Sequence, residues 1–467
     1  MSSFVKVFFA VLLCKILYFT GKLVGKGSSL PGKIVLKIFP DILAGLKLPE
    51  IIIAVTGSNG KTTTTELITY ILKAGGMKAA YNHEGSNQTE GIATLLLRVA
   101  SFCGRVKPDA IVMECDERYL KKIFEKVRPS ALLVTNLCRD QLTRNGHHEF
   151  VKDCISEAIE AAGHDMRLIL NADDPYVASL AADSQTYAKD VLWFGIEGEH
   201  KNPESRDKII DNDKPEAQGK PDFGMYDDGA FCTVCKERME YTYRTAGHFG
   251  DFGCTLCNLK RKNPDIEAQI KNDGTLLFSE GAKLRMPLPS ITAAYNLCAA
   301  AAASKTANIA ISDAVKILDG YELKSGRTAV FSLGSRKGLL LISKHENSFA
   351  YNAWLKWISR KDKPCTVIIL VDSISRKYYT CETSWLWDID FNLLACQNVV
   401  NVVLAGQYVY DLATRFAMTD IAPEKMGYVT DLKDLREYVQ KNTMGDIYTL
   451  TCFADKAKLK KVFRQTF

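Results

Sequence analysis

Apolar runs at 51–55, 109–113, 130–135, 166–170 and 190–195 are separated by stretches of helical pattern. This alternation predicts βαβ units and a mostly parallel, doubly wound α/β sheet. Ligands of such sheets gather at the carboxyl ends of the strands. A second set of runs at 338–343, 365–371, 398–405 and 446–452 also alternates with helices and predicts a smaller α/β domain. Residues 200–222 are polar and rich in proline and charge, as expected of an exposed loop. The alanine-rich stretch 292–306 reads as a helix, and Ser325-Gly326-Arg327 as a domain boundary. The division expected is an N-terminal helical segment (1–48), a central domain (49–328) and a C-terminal domain (329–467).

The segment from Phe4 to Tyr18 is almost wholly apolar, but Lys6 and Lys15 interrupt it and it is short for a membrane span. No small-residue cleavage site follows; Lys22 and Lys26 do. An amphipathic helix that packs on the body or lies on a membrane surface is favoured over a span. The chain's 467 residues suffice for two or three domains, and its 47% hydrophobic content for their cores. Its net charge of +6, with mixed signs, is too weak to argue for nucleic acid and suits work near an anionic surface.

The first strand runs into Thr56-Gly57-Ser58-Asn59-Gly60-Lys61-Thr62-Thr63, a glycine-rich turn that opens a helix. Backbone N–H groups of such a turn, with the helix N-terminus, cradle phosphates. Gly57 and Gly60 allow close approach of the backbone, Lys61 supplies a mobile positive charge, and the Thr62 hydroxyl can ligate Mg²⁺. The site expected is one for ATP, with Asn59 and Thr63 among its binding residues. Val55 stands where the longer phosphate-loop pattern would place its first glycine. Glu114, at the end of the second strand, is the first choice for a magnesium carboxylate. Asp116 and Glu117 read equally well as a helix cap and first-turn acid. The stretch 85–91 reads as a loop facing substrate or Mg²⁺, or as plain surface. Asn136 to Arg144 gathers donors and a carboxylate after the third strand and reads as part of the site or as a polar helix start; Asp173, after the fourth strand, reads as a helix cap or a functional carboxylate.

Fourteen cysteines beside a phosphate loop argue for a reducing cytoplasm. Ten are scattered and read mostly as small buried hydrophobes. The other four form two close pairs, Cys232-x2-Cys235 and Cys254-x2-Cys257, eighteen residues apart. Four thiolates so paired make a closed tetrahedral site for a structural Zn²⁺, in an insertion at about 225–270. Basic residues around them, Arg244 and Arg261 included, read as a solvated face.

The T-G-S-N-G-K-T-T loop, E-C-D-E at 114–117, N-L-C-R-D-Q-L at 136–142 and N-A-D-D-P at 171–175 together resemble the Mur ligase family. The four-cysteine insertion, the N-terminal G-K-G-S-S-L-P-G at 25–32 and Ser384-Trp385-Leu386-Trp387-Asp388 resemble its MurT branch, the subunits of lipid II isoglutaminyl synthases. The resemblance implies a Mur-type central ATPase domain. It also implies ATP-dependent amidation of the D-glutamate α-carboxyl of the lipid II stem peptide, through an acyl phosphate. Ammonia would come from a separate GatD-like glutaminase, because this chain has no recognisable glutaminase motif.

By the same resemblance Asn296 lies near the nucleotide base and Arg327 at the hinge. An aspartate just before Ser-Trp would orient the partner's catalytic histidine. Here that position is Glu382, with Asp372 as runner-up. The family's paired asparagine before Asn296 is Ala293, the acid after the hinge is Ala329, and the N-P-A-G-F-N segment is replaced by 345–352. Implied partners are the glutaminase and lipid II at the membrane surface, with no nucleic acid. The expected location is the cytoplasm, including the inner face of the bacterial plasma membrane. Competing readings are a ligase that joins an amino acid to a carboxylate, and a non-catalytic ATP-binding scaffold.

Overall fold

The computed structural model of the chain describes residues 3–23, 27–82, 86–140, 147–163, 165–184, 189–198, 228–287, 290–322, 328–344, 346–373 and 383–463. The loop read at 200–222, the boundary at 325–327, and with them Arg327 and Glu382, lie outside the described residues. The chain divides into two compact units, the first within 1–322 and the second mainly within 323–467.

In the first unit, the predicted apolar runs are strands β1 (Ile51–Thr56), β3 (Ala110–Glu114), β4 (Ala131–Val134), β5 (Arg167–Asn171) and β6 (Asp190–Ile196). The sequence reading omitted β2 (Ala79–Tyr81), three residues too short to show a pattern. β7 (Met239–Ala246) and β8 (Phe249–Cys254) form a separate antiparallel ribbon. β9 (Ile266–Ile270), β10 (Thr275–Phe278) and β11 (Lys283–Arg285) complete a nine-stranded sheet of order β11-β10-β9-β6-β5-β4-β1-β3-β2. Only the β9–β10–β11 end is antiparallel.

Register fixes where the site can form. β1 lies between β3 and β4, with Val55 opposite both Glu114 and Leu133. The turns that leave these three strands therefore emerge together at one edge of the sheet, where a doubly wound fold collects its ligands. Helix α3 (Lys61–Ala74) follows β1 directly. The alanine-rich stretch is a helix over Ile291–Ser304, with Ala299 to Ala303 buried against α3 and the sheet. Alanine's small side chain lets these helices pack closely.

Helix α1 (Ser3–Leu23) and helix α2 (Leu30–Ile38) pack against α4 (Thr89–Val99). The Gly32 N–H donates to Thr94 Oγ1 at 2.9 Å, and a Cβ on Gly32 would stand 1.9 Å from the Glu90 carbonyl. Contact that close requires glycine. Val7, Ala10, Val11, Cys14 and Tyr18 form the buried face of α1. Its opposite face is also apolar, so the helix has two apolar faces rather than one apolar and one polar.

The second unit holds a six-stranded sheet of order β12-β13-β17-β14-β15-β16. Its strands are β12 (Thr328–Leu333), β13 (Arg336–Ser343), β14 (Cys365–Leu370), β15 (Val399–Ala405), β16 (Met426–Val429) and β17 (Asp446–Cys452). Only β12–β13 is antiparallel. The unit also takes in 138–140, which the sequence reading placed in the central domain. The reason is polar: Asp140 accepts from Lys344 Nζ at 2.8 Å and Asn347 Nδ2 at 3.1 Å, and Arg139 pairs with Asp388 at 3.2 Å.

Candidate active site

The phosphate loop is held from below by the turns after β3 and β4. Asn136 accepts the Asn59 N–H at 3.0 Å on its side-chain oxygen and donates to the Asn59 carbonyl at 3.1 Å. Its own carbonyl accepts the Ser58 N–H at 2.8 Å. Thr135 Oγ1 donates to the Asn59 carbonyl at 2.6 Å. Gly57 and Gly60 have φ of 120° and 83°, backbone that favours glycine. A Cβ on Gly57 would lie 2.3 Å from Thr135 Oγ1, and one on Gly60 2.1 Å from Asn296 Oδ1.

Lys61 is buried. Its ammonium donates to the Gly57 carbonyl and to Glu117 Oε1, the latter at 2.7 Å. Glu117 Oε1 also accepts the Gly57 N–H at 3.2 Å. Thr62 is half-buried at the start of α3, and Thr63 is buried. Among the described residues no side chain caps α3, so its first turn keeps N–H groups and a positive helix end for an anion.

Glu114 is buried at the end of β3. Its N–H donates to Asn82 Oδ1, and its carbonyl accepts from Asn82 Nδ2, both at 2.8 Å. The segment 86–88 adjoins this strand end, because the Asn87 carbonyl accepts the Asp116 N–H at 2.8 Å. Asp116 caps a short turn through the Arg118 N–H at 3.2 Å. Burial, with the neighbouring carboxylates, pushes the Cys115 thiol well above its usual range, so it is a neutral packing group. Six of the nine scattered cysteines among the described residues are buried: Cys14, Cys115, Cys138, Cys298, Cys365 and Cys452.

Asn296 approaches the loop from the alanine-rich helix, its Oδ1 accepting from Thr64 Oγ1 at 3.4 Å. The loop, Glu114 and Asn296 therefore meet in the first unit. Glu117, open in the sequence between a magnesium carboxylate and a first-turn acid, does lie in a first turn and also pairs with Lys61, and Asn136, at its strand end, clamps the loop. The position of Asn136 just past a strand end was the usable signal. Asn82 had none, because β2 was not recognised.

Two further readings change. The helix Pro175–Ser184 is capped by Asp174, which accepts the Tyr176 N–H at 2.9 Å, and not by Asp173. Asp173 is fully buried and accepts from Arg261 Nε at 2.7 Å, the Ile196 N–H at 2.7 Å and Tyr295 OH at 2.8 Å. Arg261 is accordingly not on a solvated face; its side chain is 6% exposed and also pairs with Glu267 at 3.0 Å. Burial pushes the Asp173 carboxyl up, and the charge of Asp173 keeps Arg261 firmly protonated.

Cys232, Cys235, Cys254 and Cys257 bring their sulfurs within 4.8 Å of one another. The Cys232–Cys257 and Cys235–Cys254 sulfur pairs are 3.5 and 3.4 Å apart. The Val234 and Leu256 N–H groups point at Cys232 and Cys254 sulfurs at 3.4 Å, as in tight metal knuckles. The donor set and its spacing fit one tetrahedral, thiophilic ion. In the second unit, Asp372 pairs with Lys458 and accepts the Gln407 N–H at 2.9 Å. Asp455 accepts the N–H groups of Asp372 and Ser373, each at 3.0 Å.

Comparison with known proteins follows this geometry. The sequence pattern of the Mur ligase middle domain matches residues 55–250, and that of the MurT ligase C-terminal domain matches 345–454. The MurT subunit of lipid II isoglutaminyl synthase (glutamine-hydrolyzing) from Streptococcus pneumoniae is 25% identical over 447 residues, 94% of this chain and 92% of its own length. The subunit of the same name from Staphylococcus aureus is 26% identical over 418 residues, 88% of each chain. A pseudomurein peptide ligase type C from Methanothermus fervidus shares the fold, with a TM-score of 0.68 at 18% identity over 91% of this chain and 80% of that one.

Proposed function

Because this chain belongs to the Mur ligase family and carries a C-terminal domain of the MurT type, we infer that it is the ATP-consuming subunit of a lipid II isoglutaminyl synthase. The observation that carries this reading is the match to subunits of that name along nearly the whole chain, the phosphate loop and the C-terminal domain included.

The acceptor is the α-carboxyl of D-glutamate in the stem peptide. A carboxylate is a poor electrophile, so it first attacks the terminal phosphorus of ATP, and ADP leaves. Ammonia then adds to the carbonyl carbon of the acyl phosphate, and loss of phosphate and a proton leaves the amide. The N–H groups of residues 60–63 at the start of α3 and the ammonium of Lys61 bind the phosphates and offset the charge of phosphoryl transfer. Asn136 and Thr135 hold the loop in shape, and Asn296 borders it from the neighbouring helix. The Thr62 hydroxyl and the Glu114 carboxylate are hard oxygen donors suited to Mg²⁺, which would neutralise charge between the terminal phosphates.

The four cysteines would hold a structural Zn²⁺ that stiffens the β7–β8 ribbon. Ammonia is supplied by a GatD-like glutaminase. Asp372 is the described candidate for orienting that partner's histidine, and shares its carboxylate with Lys458. The test is to mix the purified chain with ATP, Mg²⁺, lipid II and ammonium, and weigh the product. Amidated lipid II with ADP is expected. Product only with an added amino acid, or no ADP with any acceptor, would overturn the reading.

A further inference from the structure

Helix α1 is held to the first unit along one side and bare along the other. Val7, Ala10, Val11, Cys14 and Tyr18 are buried against the unit, and Lys15 Nζ donates to the Ala100 carbonyl at 2.8 Å. On the far side Phe9, Leu12, Ile16 and Phe19 follow at three- and four-residue steps, which aligns them along one helical stripe. Phe9, Ile16 and Phe19 are 50%, 52% and 70% exposed, and Phe4 is 61% exposed. Phe102, 44% exposed, packs on Phe8 with ring centroids 5.3 Å apart and widens the stripe. A continuous aromatic and aliphatic face of this kind marks a contact surface.

Charge selects what covers it. Residues 1–40 contain six lysines and no acid; the first acidic residue is Asp41. Lys6, Lys22, Lys33 and Lys37 are exposed. A second copy of this chain would bring the same lysines against themselves. An anionic lipid surface offers phosphates to the lysines and acyl chains to the rings. The residues from Phe4 to Lys22 are apolar enough to cross a bilayer, but crossing would strip the buried face from α4 and expose Cys14 and Tyr18.

We propose that α1 seats the first unit on an anionic bilayer, lying in the plane of the headgroup–acyl boundary with its outer stripe buried in lipid. This deepens the reading of a lipid-borne acceptor and rests on it for its use, though not for its test. Asn82, which clamps the backbone of Glu114, lines a cleft with Tyr18 and Ser28 of the N-terminal segment. The N-terminal segment and the residue that clamps the Glu114 backbone therefore line one cleft.

The experiment is cosedimentation of the full chain, without nucleotide or acceptor, with vesicles of phosphatidylcholine alone or mixed with phosphatidylglycerol. Binding about tenfold tighter to the anionic vesicles, and weakened by salt, is expected. The double variant Phe9→Glu with Phe19→Glu alters only exposed positions and should keep the wild-type Tm while losing about tenfold or more of the binding. No binding to anionic vesicles, equal binding to both compositions, or undiminished binding by the folded double variant would overturn the proposal. So would resistance to carbonate extraction, which means a span, or a wild-type dimer that the double variant dissolves. If amidation fails while vesicle binding holds, the functional reading falls and this one stands.

Discussion

Lys61 and Glu117 form a 2.7 Å ion pair in the phosphate loop, and the same Glu117 oxygen accepts the Gly57 N–H. The acid thus fixes both the loop's first turn and the loop's only lysine. Lys61→Ala should abolish ADP formation while the protein stays folded, as judged by circular dichroism. Glu117→Gln keeps an oxygen for Gly57 but drops the charge. It should leave ATP bound and slow turnover by about tenfold, on the scale of a displaced electrostatic contact. Wild-type turnover by Lys61→Ala would remove the site assignment.

Gly60 turns the chain into α3 at φ 83°, against Asn296. Gly60→Ala should cost about 1 kcal/mol of stability through backbone strain and displacement of the Asn296 amide. Its larger effect should be on ATP affinity, read by calorimetry. Unchanged affinity would mean that the loop does not need this conformation.

Cys232 is the most buried of the four clustered thiols. Cys232→Ser should lower the zinc content of the purified protein, and a chelator should release zinc from the wild type. Both should lower the Tm of the first unit, because metal binding and ribbon folding are one free energy. Equal zinc in wild type and variant, by elemental analysis, would reject the cluster as a metal site.

Asp173 and Arg261 are a buried pair that joins the end of β5 to the segment after the β7–β8 ribbon. Asp173→Asn leaves Arg261 with only the Glu267 carboxylate and should destabilise the protein by about 3 kcal/mol in denaturant unfolding. A change within a few tenths would show that Glu267 suffices to hold Arg261.

Much of this was readable along the chain. The strands of both sheets that carry long apolar runs, the loop from Gly57 to Thr63 and the four-cysteine cluster each have a local signature. Such signatures survive because periodicity, glycine conformation and thiol spacing act over a few residues. Short strands such as β2 and β16 lack the length to show a period, and Asn82 was missed with β2.

The sequence by itself determined that a glycine-rich turn follows a buried strand, that four thiols are paired for a metal, and that the first 40 residues are cationic without acids. Tertiary structure decided that Glu117 rather than a neighbour holds Lys61, that Asp173 is a buried partner and not a cap, and that α1 turns one apolar face inward and the other out. Those choices depend on which elements come to lie side by side. Sheet register and helix packing set that across tens to hundreds of residues, where no local pattern can record it.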